Sequence, residues 1–235
     1  MGLAEYLGRR SRPFLITLAL EILALLFMAN WVSARLGLLF VPFYLVPACM
    51  YLCIIRVLFL LKASRDREAS LTMVDNVTGI ANRRAFYNLA AVEIERSRRY
   101  KHPFTVAYLD IDNFKVVNYR SGLTAGDTLL HSVGETIRSH IRDVDLVSRL
   151  GGDEFAILLP ETAAEPSQIV ISRLRSQLLD AMKNNDWPIT FSFGVVTFAS
   201  PPDSVEEMIK KASVLMYSAK NSGANVIDHE VYSKS

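Results

Sequence analysis

Residues 144–159 read VDLVSRLGGDEFAILL. Two β-rich stretches, 144–150 and 154–159, flank Gly151, Gly152 and Asp153, and such an interruption predicts a tight β-hairpin. The two glycines let the backbone turn sharply and let a bulky group approach the tip, where Asp153 and Glu154 stand. Upstream, residues 104–110 (FTVAYLD) follow Pro103 and predict a buried-type strand, with Asp110 and Asp112 at its strand–loop junction. If that strand lies beside the hairpin in one sheet, Asp110 and Asp153 converge. Adjacent carboxylates without a basic partner repel one another and call for a cation, and hard oxygen ligands of this kind suit Mg2+. Magnesium held by carboxylates points to phosphate chemistry. An exposed acidic hairpin that holds nothing is the competing reading of the same residues.

Outward from the hairpin, helices and strands alternate. Apolar residues at helical spacing predict helices over 82–100, 124–141, 165–184 and 204–221, with Asn82 and Thr124 as caps of the first two. Residues 188–198 and 225–229 predict strands. The order β-α-β-β-α-β-α-β gives an α+β fold, a mixed sheet flanked by helices, expected mainly on one face. The sequence holds no internal repeat and no low-complexity tract.

The first third of the chain differs. The 235 residues have a mean hydropathy of +0.22, and the excess is concentrated near the N-terminus. Residues 13–34 carry one charge, Glu21, and residues 36–55 carry none. Either run can cross a hydrocarbon layer, which needs about 20 apolar residues, and the zone is too long for a cleaved signal peptide. The pattern predicts a transmembrane helical hairpin, with spans at 13–33 and 37–60 and a turn around Arg35 and Gly37. Arg9, Arg10 and Arg12 precede it, and Lys62, Arg65 and Arg67 follow it. Both termini are therefore expected in the cytoplasm, with membrane lipid as a partner. Trp31 suits an interfacial anchor, and Pro42 and Pro47 predict a kink. Glu21 is either a helix–helix or sensing contact or a residue near an interface. Cys49 and Cys53 lie within the second run, where neither a disulfide nor a zinc site is expected. The organisation read from this is 1–61 for the N-terminus and membrane hairpin, 62–75 for a connector helix, and 76–235 for one soluble domain. Residues 1–67 hold eight Lys/Arg against three Asp/Glu, so the remainder is net acidic within an overall +2. No basic stripe is present in it, and nucleic acid is excluded as a partner.

Four segments, DNVTGIANRR at 75–84, DIDNFK at 110–115, NYRSGLTAGD at 118–127 and RLGGDEF at 149–155, closely resemble in order and spacing the signature segments of GGDEF-domain diguanylate cyclases. The resemblance covers about 75–228. It implies a fold related to the palm of nucleotide cyclases and polymerases, and condensation of two GTP into cyclic di-GMP by a homodimer with facing half-sites. The implied cofactor is Mg2+, with Mn2+ as a substitute, held by Asp110, Asp153 and the backbone carbonyl of Ile111. Glu154 is implied near the ribose 3′-hydroxyl as base or orienter. Asn118 and Asp127 are implied at the guanine edge. Lys115 and Lys220 are implied at the triphosphate, with Phe114 and Lys115 also offering backbone N–H groups to it. Arg142 and Asp145 match the RxxD pair at which cyclic di-GMP acts as feedback inhibitor, and Arg173 is a candidate further arm.

Read without the resemblance, Lys115 and Lys220 are surface lysines, Asn118 ends a helical turn and Asp127 is a first-turn acid. Arg142 and Asp145 read alone are a salt-bridged loop pair. Phe114 and Phe155 read as core, and Arg83 and Arg84 as the surface of a helix start. The chain departs from the family pattern at Tyr119, where Asp is usual, at Leu123, where His is usual, and at Ala224, where Arg is usual. These changes keep open an alternative in which a degenerate domain binds GTP or cyclic di-GMP without turnover.

Overall fold

The computed structural model describes residues 24, 27, 28, 31, 35, 47, 48, 50–60 and 72–234. The chain divides into two units, Met1–Ala69 and Ser70–Ser235. In the first unit, the described residues are helical. Arg35, expected in a turn, is among them, and its guanidinium lies over the Trp31 ring at 5.2 Å. Among the described residues no helix is long and apolar enough to cross a membrane. The expected spans, with Glu21, Pro42 and Cys49, lie largely outside the described residues, as does the connector at 62–71.

The second unit is built on a six-stranded sheet ordered β1-β3-β4-β2-β5-β6. Its strands are β1 (Ala81–Asn82), β2 (Phe104–Asp112), β3 (Leu146–Gly151), β4 (Glu154–Leu159), β5 (Thr190–Phe198) and β6 (Ile227–Tyr232). Its helices are α1 (Arg83–Tyr100), α2 (Phe114–Ser121), α3 (Leu123–His140), α4 (Ala164–Asn184) and α5 (Val205–Gly223). The outer pairs β1–β3 and β5–β6 are parallel and the inner pairs antiparallel. The α+β class and the mixed sheet stand as read from the sequence.

Helices cover both faces of the sheet, not mainly one. Leu109, Ile111, Phe155, Ile157 and Phe193 pack against α2, α3 and α4 on one face. Val106, Tyr108, Ala156, Leu158 and Val196 pack against α1 and α5 on the other. Consequently all nine residues of β2 are buried. A strand covered on both faces reads as a continuous apolar run, so periodicity cannot tell how many faces are covered.

Local chemistry explains the remaining boundaries. Asn82 caps α1, its side chain accepting from the Ala85 N–H at 3.0 Å. Thr124 is not the cap of α3. That helix starts at Leu123 behind Gly122, whose φ of 84° starts a new direction after the short α2. The expected connector helix does not extend to residue 75. The Asp75 carboxylate accepts from the N–H and hydroxyl of Thr78, closing a turn, and Val74 bridges Ala81. Such side-chain bonds compete with helix continuation. Strand β3 starts at Leu146, after a turn in which the Asp145 N–H donates to the Arg142 carbonyl.

Asp112 ties the sheet together at the C-terminal end of β2. Its carboxylate accepts from the Ser192 hydroxyl at 2.8 Å, the Thr190 hydroxyl at 2.7 Å and the Asn225 N–H at 3.0 Å. This joins β2, β5 and the entry to β6. Asp112→Ala leaves those buried donors without an acceptor, and urea unfolding of the variant is expected to show a loss of about 2–3 kcal/mol.

Candidate active site

Strand alternation places Asp110 and Asp112 on the face of β2 that meets α5. Asp110 faces Glu154 directly across the β2–β4 ladder, and the Ile111 N–H donates to the Asp153 carbonyl at 3.3 Å. The hairpin tip is thus held beside the end of β2, where Asp110 and Asp153 were expected to converge, and Glu154 joins them through its pairing with Asp110. Asp110 is 5% exposed, whereas Asp153 and Glu154 are half-buried. Burial pushes the Asp110 carboxyl above the usual range; the Lys220 ammonium opposes this, while Asp153 and Asp112 push in the same direction as burial. Lys220, in the last turn of α5, makes an ion pair with Asp110. Burial acts to lower the Lys220 ammonium, but its bond to Asp110 outweighs that and holds it above its usual value. Asp112 belongs to the scaffold, since its oxygens are taken by the three donors above.

Among the described residues no three His, Cys, Asp or Glu side chains form a group that could hold a metal ion by themselves. The donor set is two carboxylates, Asp110 and Asp153. This fits Mg2+, which keeps several waters and is commonly held by one or two carboxylates together with substrate phosphates. The fit is sharpened by Asp110, a buried acid whose ion-pair partner among the described residues is Lys220, a side chain that is itself partly exposed.

Directly after β2, Asn113 takes the left-handed conformation (φ 62°) and starts α2 without a side-chain cap. The first N–H groups of α2, those of Phe114 and Lys115, lack an intrahelical acceptor and suit an anion. Lys115 is exposed and Phe114 is buried in the core. The next helix brings Gly126 against Asn118: a Cβ on Gly126 would sit 1.9 Å from Asn118 Oδ1. A side chain at this position would push the Asn118 amide aside, so glycine lets that amide lie against the start of α3, whose next residue is the exposed Asp127. The departures Tyr119 and Leu123 are 92% and 76% exposed, on the surface around this pair.

Two residues that the sequence reading left without a role, Arg149 and Asp75, hold the hairpin. Arg149 Nε and Nη2 donate to the Gly152 carbonyl at 2.9 and 2.8 Å, and Nη1 donates to Asp75 Oδ1 at 3.1 Å. Burial opposes the charge on Asp75, but the Thr78 and Arg149 bonds keep its carboxyl below the usual range. Gly152, at φ 53°, turns its carbonyl to Arg149. The signal was present in the sequence as a cation two positions before the Gly-Gly tip, and its partner lies 74 positions upstream.

Arg142 and Asp145 do form a pair. Arg142 Nε and Nη2 both reach the Asp145 carboxylate, at 2.7 Å for the Nη2–Oδ1 contact, and Nη2 also donates to the Thr162 hydroxyl at 2.9 Å. The pair lines a cavity of about 750 Å³ that also receives Arg173, Glu161 and Pro166.

Residues 72–226 match the family described as "Diguanylate cyclase, GGDEF domain". The cyclic di-GMP phosphodiesterase NbdA of Pseudomonas aeruginosa is 34% identical over 175 residues, covering 72% of this chain and 22% of that protein. The diguanylate cyclase DgcP of the same organism is 32% identical over 166 residues, covering 69% of this chain and 24% of that protein. The chain therefore spans about a quarter of the length of these curated relatives. Among solved structures, diguanylate cyclase SiaD in complex with its activator SiaC, also from Pseudomonas aeruginosa, superposes with a TM-score of 0.61 at 26% identity. That likeness covers 97% of this chain and 91% of SiaD.

Lysine cannot fork between two acceptors as arginine does. Arg149→Lys is expected to lower stability by about 1–2 kcal/mol, and amide exchange at 151–154 and 75–79 is expected to speed up while the core strands stay protected.

Proposed function

The chain belongs to the GGDEF domain family of diguanylate cyclases, and on that premise we propose that it is a membrane-anchored enzyme that condenses two GTP into cyclic di-GMP. The observation that carries this reading is the pairing of Asp110 with Glu154 across β2 and β4, with Asp153 and Lys220 at the same end of the sheet. Asp110, Asp153 and the Ile111 carbonyl would hold Mg2+, or Mn2+ in its place, and the ion would supply charge neutralisation for phosphoryl transfer. Lys115, Lys220 and the free N–H groups at the start of α2 bind the triphosphate, and Asn118 and Asp127 accept from the guanine N1–H and N2–H2 donors. Glu154 orients the ribose 3′-hydroxyl or takes its proton. The 3′-oxygen bonds to the α-phosphorus of the facing GTP as the bond to pyrophosphate breaks, and a second such step closes the ring. The protein's contribution is positioning and a preorganised charge field.

One domain holds one GTP, so the active unit is a homodimer with its half-sites facing across a two-fold axis. Residues 1–61 anchor the chain in the bacterial inner membrane through two helices, with both termini and the domain from residue 76 in the cytoplasm. The Lys/Arg bias at both ends of the apolar zone supports this orientation. Anchoring and dimerisation raise the effective concentration of one half-site for the other.

Arg142, Asp145 and Arg173 form the inhibitory site for cyclic di-GMP. Their meeting on one cavity supports the assignment, since guanidinium groups fork to phosphate and a carboxylate accepts from guanine. A second reading, a binding module without turnover, is favoured by Tyr119, Leu123 and Ala224.

The deciding experiment incubates the full-length protein with GTP and Mg2+ and detects cyclic di-GMP by mass. Product is expected, and Asp153→Asn is expected to reduce the rate at least ~100-fold with the fold intact, because it removes a ligand of the ion that stabilises the transition state. GTP binding with no product in the parent protein establishes the second reading instead. In the same assay, Arg142→Ala is expected to keep the initial rate and raise the cyclic di-GMP concentration needed for half-inhibition by ~10-fold or more. Unchanged inhibition makes the RxxD pair structural.

A further inference from the structure

Tyr108 stands two residues before Asp110 on the same face of β2 and is 6% exposed. Its cross-strand partner is Ala156, two residues after Glu154, while Glu154 pairs with Asp110. Tyr108 and Glu154 are therefore diagonal neighbours on one sheet face, a separation that an aromatic and a long side chain bridge. Ala156 presents only a methyl group, which leaves room for the phenol to lean toward the hairpin tip.

Tyr108 belongs to the core cluster that also holds Phe86, Leu158 and Met216. Phenylalanine would fill that role equally well and bring no hydroxyl into the core, where a polar group needs a partner. The Glu154 carboxylate, the diagonal neighbour on this face, is the acceptor within reach of the phenol. A phenol hydroxyl donates to a carboxylate, which when ionised only accepts.

We propose that Tyr108 is the positioning residue of Glu154: its hydroxyl donates to one carboxylate oxygen and leaves the other directed at the ribose 3′-hydroxyl. The inference rests on the cyclase reading and adds to it a residue outside the hairpin. Glu154 is a half-buried side chain with three rotatable bonds at the start of β4, and positioned carboxylates lose effect when they sample several rotamers. Tyr108 restricts that sampling from a strand buried on both faces.

The test uses the full-length protein with GTP and Mg2+ and compares the parent, Tyr108→Phe, Glu154→Asp and the double variant. Tyr108→Phe is expected to lower kcat about ten-fold, a fraction of the ~10²–10⁴-fold that a positioned acid–base group contributes. Its KM for GTP is expected to stay within two-fold and its melting temperature within about two degrees. Glu154→Asp draws the carboxylate back by one methylene, out of reach of the phenol, so Tyr108→Phe is expected to change nothing further in that background. Full kcat in Tyr108→Phe overturns the inference. So does a matching loss in KM or melting temperature, or an undiminished effect in the Glu154→Asp background. A parent protein that makes no cyclic di-GMP overturns the cyclase reading itself, an outcome separate from any ratio between variants.

Discussion

The fold must hold two carboxylates, two residues apart on one face of a strand that is buried along its whole length. Unpaired, either charge would be costly in that setting. The two are met by different means. Asp112 receives three neutral donors, from Thr190, Ser192 and the Asn225 N–H. Asp110 receives one cation, Lys220. The placement of much else follows. β5 must present Thr190 and Ser192 in register with β2, α5 must end where its last turn reaches Asp110, and the chain after α5 must turn back to bring Asn225 N–H to Asp112. The neutral solution makes Asp112 part of the frame. The ionic one leaves Asp110 beside an acid at the hairpin tip, with a partner on a flexible stem that is itself partly exposed.

A second constraint acts on the hairpin. Its tip carries Asp153 and Glu154 and contains two glycines, which alone would leave its direction loosely set. Arg149 removes that freedom by holding the Gly152 carbonyl with two nitrogens and Asp75 with the third. Ile111 holds the Asp153 carbonyl from the other side. The tip is thus gripped from β2 and from the start of the domain, and Asp75 in turn is gripped by Thr78. Bonds to backbone carbonyls set the direction of the acids without occupying their oxygens.

How far this was legible in the sequence depended on separation along the chain. The hairpin, β2 and the approach of Asp110 to Asp153 could be read, because one short loop and one strand pairing generate them. The Lys220–Asp110 pair spans 110 positions and the Arg149–Asp75 pair 74, and no local pattern encodes either. Lys220 entered only through resemblance, and Arg149 and Asp75 lay inside quoted motifs without a role. Helix α2 escaped notice because eight residues give little periodicity, and the turn at Asp75–Thr78 because side-chain hydrogen bonds, not hydrophobic spacing, end the preceding pattern. The covering of both faces was not legible, because a fully buried strand reads alike whichever elements cover it.

The three departures from the family pattern fall outside both constraints. Tyr119 and Leu123 lie almost wholly in solvent, on the outer surface of the α2–α3 corner, while Asn118 keeps its place over Gly126. Ala224 sits at φ 55° and ψ 166°, a conformation that favours glycine, yet its N–H still donates to the Lys220 carbonyl and the following N–H to Asp112. The backbone turn that serves the carboxylates is therefore kept at some cost in strain, and what is lost at this position is a side-chain charge. Such changes spare the buried acids and their partners and alter only the rim. They do not remove the groups that face one another across β2 and β4.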